Sequence, residues 1–308
     1  MTGPGPRRHV LLMGGSGRIG KFLVPELERR FHLTTLGRKQ LNRNQGRHVI
    51  CPNYEDPRAM AELLSALSAV DVFVHFGAAV SSSMRKAAEA YRFEVKSLAG
   101  ILAALPRSES LQIIFASSYM VYGSPSLLPI SETHPLNPRS VYGVIKVGIE
   151  KMLALAAAAE NTNCTILRIS GVYGFGNPAE TNLIPSAIAK IRKKEMVKLS
   201  FAGEVFRDYV LVDDVVEAVV GAIERPEKQG VFNIGSGIAL KAMDLVALVG
   251  QVLDLPSKVQ LEGTSSGKLD LVLDINKATH ALAFTPCRSL ERGIKIEADR
   301  QLVVQNGQ

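Results

Sequence analysis

The chain has 308 residues, 46% of them hydrophobic and 21% charged. That length suits one large α/β domain with a smaller partner, and that composition excludes disordered, collagen-like and disulfide-scaffold chains. The net charge of +7 comes from basic residues scattered along the chain, and 6% aromatics without tryptophan offer no base-stacking platform, so no nucleic-acid partner is expected.

Taken in chain order, His9–Met13 reads as a strand, Arg18–Arg30 as a helix and His32–Leu36 as a strand. Pro57–Leu67 is helical, Asp71–Phe76 a strand, Met84–Leu105 helical and Leu111–Ala116 a strand. Ser140–Ala159 is again helical and Cys164–Ile169 extended. Strands separated by helices of this length imply right-handed crossovers and a doubly wound parallel sheet covered on both faces. Beyond about Gly171 the pattern loosens. Helices near Asn182–Lys194, Asp213–Glu224 and Lys241–Val252 alternate with short extended pieces, and Asp274–Ala283 and Ser289–Leu302 close the chain. The expected division is a dinucleotide-binding domain over 1–171 and a smaller, mainly substrate-binding α/β lobe over 172–308, with some late segments returning to the first domain.

The three cysteines, Cys51, Cys164 and Cys287, are far apart and never in Cys-x-x-Cys spacing. Reduced thiols in a cytoplasm are expected, and no metal cage. The apolar run Val10–Met13 is too short for a signal-peptide core, and no apolar run reaches the ~18–20 residues of a membrane span.

Three constellations carry chemistry. Met13-Gly14-Gly15-Ser16-Gly17-Arg18-Ile19-Gly20 follows the first strand and opens the first helix. Glycines at 14, 17 and 20 allow a tight turn against a pyrophosphate, and the helix N-terminus offers free N–H groups, as in a Rossmann-type fold. The second strand should end near a carboxylate if NAD is bound, yet 31–50 contains no Asp or Glu and carries Arg38 instead. A guanidinium there can fork onto a 2′-phosphate, which favours NADP, with NAD the alternative. Finally, Ser117-Ser118 ends the strand at 111–116, and Tyr142 and Lys146 stand at i and i+4 on one helix face. A phenol near pKa ~10 needs help to act as a base at neutral pH. A nearby ammonium together with an oxidised nicotinamide supplies it.

These pieces resemble the extended short-chain dehydrogenases/reductases of the NAD-dependent epimerase/dehydratase family. The likeness continues through Asp71–Ala79, Ser117–Gly123, Ser131–Pro138, Leu167-Arg168, Arg207–Val210, Val212–Asp214 and Phe232–Gly237. The resemblance implies Tyr142 as acid/base, Lys146 as its activator and ribose ligand, and Ser118 as the hydroxyl. Cofactor contacts are implied for Gly14, Ser16, Gly17, Arg18, Ile19, Gly20, Arg38, Asn53, Phe76, Gly77, Ala78 and Lys146. Substrate contacts are implied for Ser117, Ser118, Tyr142 and Arg207, the last on the diphosphate of a nucleotide sugar, and a homodimer through 84–105 and 140–159.

The chain also departs from the family. Glu94-Val95-Lys96-Ser97-Leu98 stands where Asn-Val-x-Gly-Thr is common, Gly171 where a phosphate-holding asparagine is common, and Asn53 where an aspartate touches adenine. Tyr119-Met120 replaces the acid pair of the 4,6-dehydratases, and no cysteine falls where a 3,5-epimerase/reductase needs one. The remaining reading is hydride transfer at one sugar carbon, most simply 4-epimerisation. The alternatives are an NADPH-dependent keto-sugar or other carbonyl reductase and a regulatory NADP-binding protein.

Overall fold

The computed structural model describes residues 7–38, 47–77, 84–177, 182–200, 203–263, 269–286 and 289–306. The first half runs β1 (His9–Met13), α1 (Gly20–Arg30), β2 (His32–Gly37), β3 (Arg47–Ile50), α2 (Pro57–Ser65), β4 (Val70–His75), α3 (Met84–Ala104), β5 (Arg107–Ser118), α4 (Val141–Glu160) and β6 (Asn163–Ile169). Then follow β7 (Gly171–Tyr173), α5 (Leu183–Arg192), β8 (Val197–Ser200), β9 (Phe206–Arg207), β10 (Tyr209–Leu211), α6 (Val212–Glu224) and β11 (Gly230–Ile234). The chain closes with β12 (Leu240–Lys241), α7 (Ala242–Leu253), β13 (Val259–Glu262), α8 (Asn276–Leu282) and α9 (Leu290–Asn306).

Seven strands form the main sheet in the order β11-β6-β5-β4-β1-β2-β3. β1 pairs in parallel with β2 and β4, β2 with β3, and β4 with β5. The fold is Rossmann-like, and the strand order reverses between β1 and β4, which is where doubly wound sheets bind ligands. β1 is buried at every position, as a strand covered on both faces requires.

One strand, β3, escaped the sequence reading of this sheet, while β11 is one of the late segments expected to return to it. β3 buries only Val49 among Arg47-His48-Val49-Ile50, so its side chains carry no apolar run to read. β11 belongs to the main sheet although it lies late in the chain. The first helix begins at Gly20, two residues later than expected, because 14–19 are wound into the preceding turn.

The chain divides into two compact units. The first comprises 1–121, 138–167 and 219–231, with a core that includes Leu11, Phe73, Phe115, Ile145, Ile149 and Leu153. The second comprises 122–137, 168–218 and 232–308, with a core of Ile184, Ile188, Leu199, Leu211, Leu245, Val249 and Ile294. Each fully buried side chain of this size contributes roughly 1.5–3 kcal/mol.

Candidate active site

The glycine turn is built by close backbone approach. Gly14 has φ +96°, and a Cβ there would lie 2.6 Å from the Phe76 carbonyl carbon. A Cβ at Gly20 would lie 2.1 Å from the Gly14 carbonyl oxygen, whereas one at Gly17 would lie 3.0 Å from it. The Gly17 N–H closes the turn by donating to the Gly14 carbonyl at 2.9 Å. Ser16, Gly17 and Arg18 are exposed and Ile19 half-buried at the start of α1. An exposed backbone turn with no side chains at Gly14, Gly17 and Gly20, leading into a helix N-terminus, fits a dinucleotide pyrophosphate. Phe76 and Gly77 line the turn from the end of β4, and Ala78 lies outside the described residues.

Beside the first unit's sheet, α4 presents Tyr142, Lys146 and Glu150 at i, i+4 and i+8, one above another on one face. Ser140 caps this helix by accepting from the Gly143 N–H at 3.1 Å. Gly143 matters as well, because a Cβ there would lie 2.7 Å from the Met120 carbonyl oxygen. A larger residue would push Tyr142 away from β5. Tyr142 is half-buried and hydrogen-bonds Ser118, whose Oγ also accepts from the Met120 N–H at 3.3 Å. Lys146 is only 2% exposed, with Nζ 4.6 Å from the Phe115 ring centre and 5.6 Å from that of Tyr142. Ser117 donates to the buried Glu150 carboxylate. The first unit thus brings Ser117, Ser118, Tyr142 and Lys146 together.

Burial, and then the negative charge of Glu94, push Tyr142 up to about 12, and the Ser118 hydrogen bond and Arg18 only partly offset them. Burial also lowers Lys146 from its ordinary value, while Glu94 and Glu150 act to raise it. His75, at the end of β4, is 1% exposed and is held down to about 3 by burial and by Lys146.

Two expected cofactor residues adopt local roles. Arg38, exposed at the end of β2, places its guanidinium 5.5 Å from the Phe93 ring centre. Asn53 turns its Oδ1 to the Glu55 N–H at 3.0 Å, and its backbone carbonyl accepts from Cys51 Sγ.

In the second unit, Arg207 is half-buried and donates to the Phe206 carbonyl at 3.1 Å. Its neighbour Asp208 is fully buried and accepts from Ser236 N and Oγ, Gly237 N and Leu273 N, at 2.7–3.2 Å. A carboxylate so engaged is no ordinary ion-pair partner for Arg207. Arg168 donates to the Tyr122 hydroxyl at 3.0 Å and to the Glu132 carbonyl at 3.1 Å, and Tyr122 donates to Asn233 at 2.6 Å. Several segments of the family likeness are thus framework. The same unit holds a cavity of about 270 Å³ between Tyr173, Tyr209, Asp214, Ser236, Leu240 and Leu290.

Sequence reasoning missed Glu150, Glu94, His75 and Gly143. Glu150 repeats the four-residue spacing of Tyr142 and Lys146, so helical period alone could have found it. No group of His, Cys, Asp and Glu among the described residues could hold a metal ion.

The model of the NAD dependent epimerase/dehydratase family matches residues 10–235. The UDP-glucose 4-epimerase of Lactobacillus helveticus is 29% identical over 310 residues, covering 90% of this chain and 92% of its own. Among solved structures, the Thermotoga maritima UDP-glucose 4-epimerase with UDP-glucose superposes at a TM-score of 0.84 and 26% identity, covering 96% of this chain and 99% of that one. The Thermus thermophilus UDP-glucose 4-epimerase complex with NAD shares the fold, at a TM-score of 0.81 and 22% identity over 96% and 99% of the two chains.

Proposed function

The chain belongs to the NAD dependent epimerase/dehydratase family, and on that premise we propose that it transfers hydride stereospecifically at C4 of a nucleotide-linked hexose, with epimerisation as the net result. The observation that carries this reading is the set Ser118, Tyr142 and Lys146, gathered on β5 and α4, with no carboxylic acid at 119 or 120. A dehydratase must remove and replace a proton on carbon, and Tyr119-Met120 offers no group suited to that. Hydride transfer at an alcohol carbon needs only a phenol that takes and returns the hydroxyl proton.

In this reading Ser118 holds the sugar oxygen by a hydrogen bond while Tyr142 accepts its proton. Lys146 supplies the positive charge that stabilises the phenolate and also binds ribose. A nicotinamide dinucleotide held at the glycine turn would supply the hydride acceptor and donor for this exchange. Tyr142 then returns the proton to the oxygen of the opposite epimer, so no net proton is consumed. Arg207 contacts the substrate diphosphate, and the second unit serves mainly as the substrate lobe.

The cofactor is a nicotinamide dinucleotide, and we take a preference for the 2′-phosphorylated form from Arg38 and the acid-free segment 31–50. A homodimer through α3 and α4 accounts for Val141, Val144 and Tyr91, which are 39%, 53% and 45% exposed. No helix among the described residues is long and apolar enough to cross a membrane. Buried thiols at Cys51 and Cys164 suit the cytoplasm.

The deciding test is cofactor balance across a panel of nucleotide sugars. Product formed with no net change in reduced dinucleotide supports epimerisation. Stoichiometric loss of the reduced form would establish the reductase instead, and no reaction with any member would defeat both.

A further inference from the structure

An exposed cation of the first unit is tied to the core through two aromatic rings. Arg38 follows Gly37, the last residue of β2, and the Cys51 N–H donates to the Gly37 carbonyl at 2.9 Å, so the backbone beside Arg38 is anchored to the end of β3. From there the guanidinium carbon lies 5.5 Å from the centre of the Phe93 ring on α3. Phe93 is half-buried, and its ring centre lies 6.0 Å from that of Tyr54 with the planes at 42°, a spacing usual for aromatic pairs. Tyr54 is 4% exposed and belongs to the core with Met60, Leu64 and Leu98. Its turn is fixed locally: Asn53 Oδ1 accepts from the Glu55 N–H at 3.0 Å, and the Asn53 carbonyl accepts from the Asp56 N–H at 3.4 Å. Among the described residues no ion pair engages Arg38. A guanidinium meets an aromatic ring with its face, while its N–H donors point outward in its plane. The ring therefore restrains the cation and leaves its hydrogen-bonding edge open.

We propose that Phe93 is a positioning residue for cofactor choice: its ring, propped by Tyr54, holds the Arg38 guanidinium ready to fork onto the 2′-phosphate of a dinucleotide. This rests on the preference for the 2′-phosphorylated form proposed above. A free arginine on an exposed strand end samples many rotamers, and gripping a phosphate costs it that freedom. Leaning on Phe93 removes part of that cost before the ligand arrives. The unphosphorylated dinucleotide offers the fork nothing to grip, so it gains nothing from the ring. Phe93 thus acts on the difference between the two cofactors, not on the affinity for both.

The test is titration of the whole protein with NADPH and NADH, and with 2′,5′-ADP and 5′-AMP, a pair that differs only in the 2′-phosphate. Phe93→Leu keeps an apolar side chain and removes the ring. It should weaken NADPH and 2′,5′-ADP by about two- to tenfold, the cost of immobilising one long side chain, and leave NADH and 5′-AMP unchanged. Phe93→Tyr keeps the ring and should keep the wild-type ratio. In an Arg38→Ala background Phe93→Leu should move the ratio no further, because the ring acts only through the guanidinium. If Phe93→Leu does not fold, Phe93→Met gives the same comparison. An equal loss for both cofactors, as a merely structural role would produce, or a further shift in the Arg38→Ala background overturns the proposal. Equal affinities for NADPH and NADH in the unaltered protein would strike the preference itself and this role with it. A clear preference that Phe93→Leu leaves unmoved would strike the role of Phe93 alone.

Discussion

The Lys146 ammonium lies 4.6 Å from the centre of the Phe115 ring, so a buried cation fastens α4 to β5 where the candidate catalytic groups meet. A desolvated contact of this kind is worth about 2 kcal/mol, and it holds the charge where Tyr142 can feel it. Replacing Lys146 with Ala should therefore damage both cofactor binding and turnover. Dinucleotide titration alongside single-turnover kinetics checks this, and intact binding would contradict the double role.

Tyr142→Phe removes only the hydroxyl. Dinucleotide affinity should stay within a few-fold of wild type while kcat falls by roughly 10²–10⁴. Turnover close to wild type on an accepted nucleotide sugar would remove Tyr142 from the mechanism.

The glycine turn makes a ranked prediction. Gly20→Ala puts a methyl 2.1 Å from a backbone oxygen, and Gly17→Ala puts one at 3.0 Å. The first should lower the melting temperature and abolish dinucleotide binding, and the second should do far less. Equal effects in thermal denaturation and titration would show that the turn rearranges freely.

Arg38 should discriminate between cofactors. NADPH should bind more tightly than NADH, and Arg38→Ala should narrow the gap by roughly 1.5–3 kcal/mol, as for a lost charge-assisted hydrogen bond. Equal affinities in the unaltered protein would refute the preference.

His75 predicts a pH effect on stability. Its folded value of about 3 lies below the ordinary 6.5, so between those values the unfolded chain binds the extra proton and stability falls as pH falls. Both ring nitrogens are buried without a hydrogen-bond partner. His75→Leu should leave stability at pH 7 unchanged or higher, and should flatten the loss between pH 6.5 and 3. Denaturant midpoints measured across that range give the comparison; a parallel slope in the variant would assign the acid loss to other groups.

Much of the fold was legible because the pattern was strong. A buried parallel strand such as His9–Met13 needs an unbroken apolar run, and an amphipathic helix beside it repeats at 3.6 residues. β3 was not legible because only Val49 turns inward. Within the candidate site, the i, i+4 spacing put Tyr142 and Lys146 on one helix face, and the family resemblance singled out Ser118 from the Ser117-Ser118 strand end. Glu94 and His75 could not be read, since what surrounds a buried titratable side chain on α3 or β4 is set by elements distant in the chain. Arg38 against Phe93 is likewise a contact between residues 55 positions apart.

Because Tyr142, Lys146 and Glu150 occupy successive turns of α4, the helix fixes their mutual register more tightly than any loop could. Inserting one residue between Tyr142 and Lys146 would rotate everything beyond it by about 100° and shift it about 1.5 Å along the axis. The ammonium would then leave the phenol's side of the helix, and the Glu150 carboxylate would lose Ser117. The stretch from 142 to 150 is therefore closed to any change of length, whatever substitutions its individual positions accept.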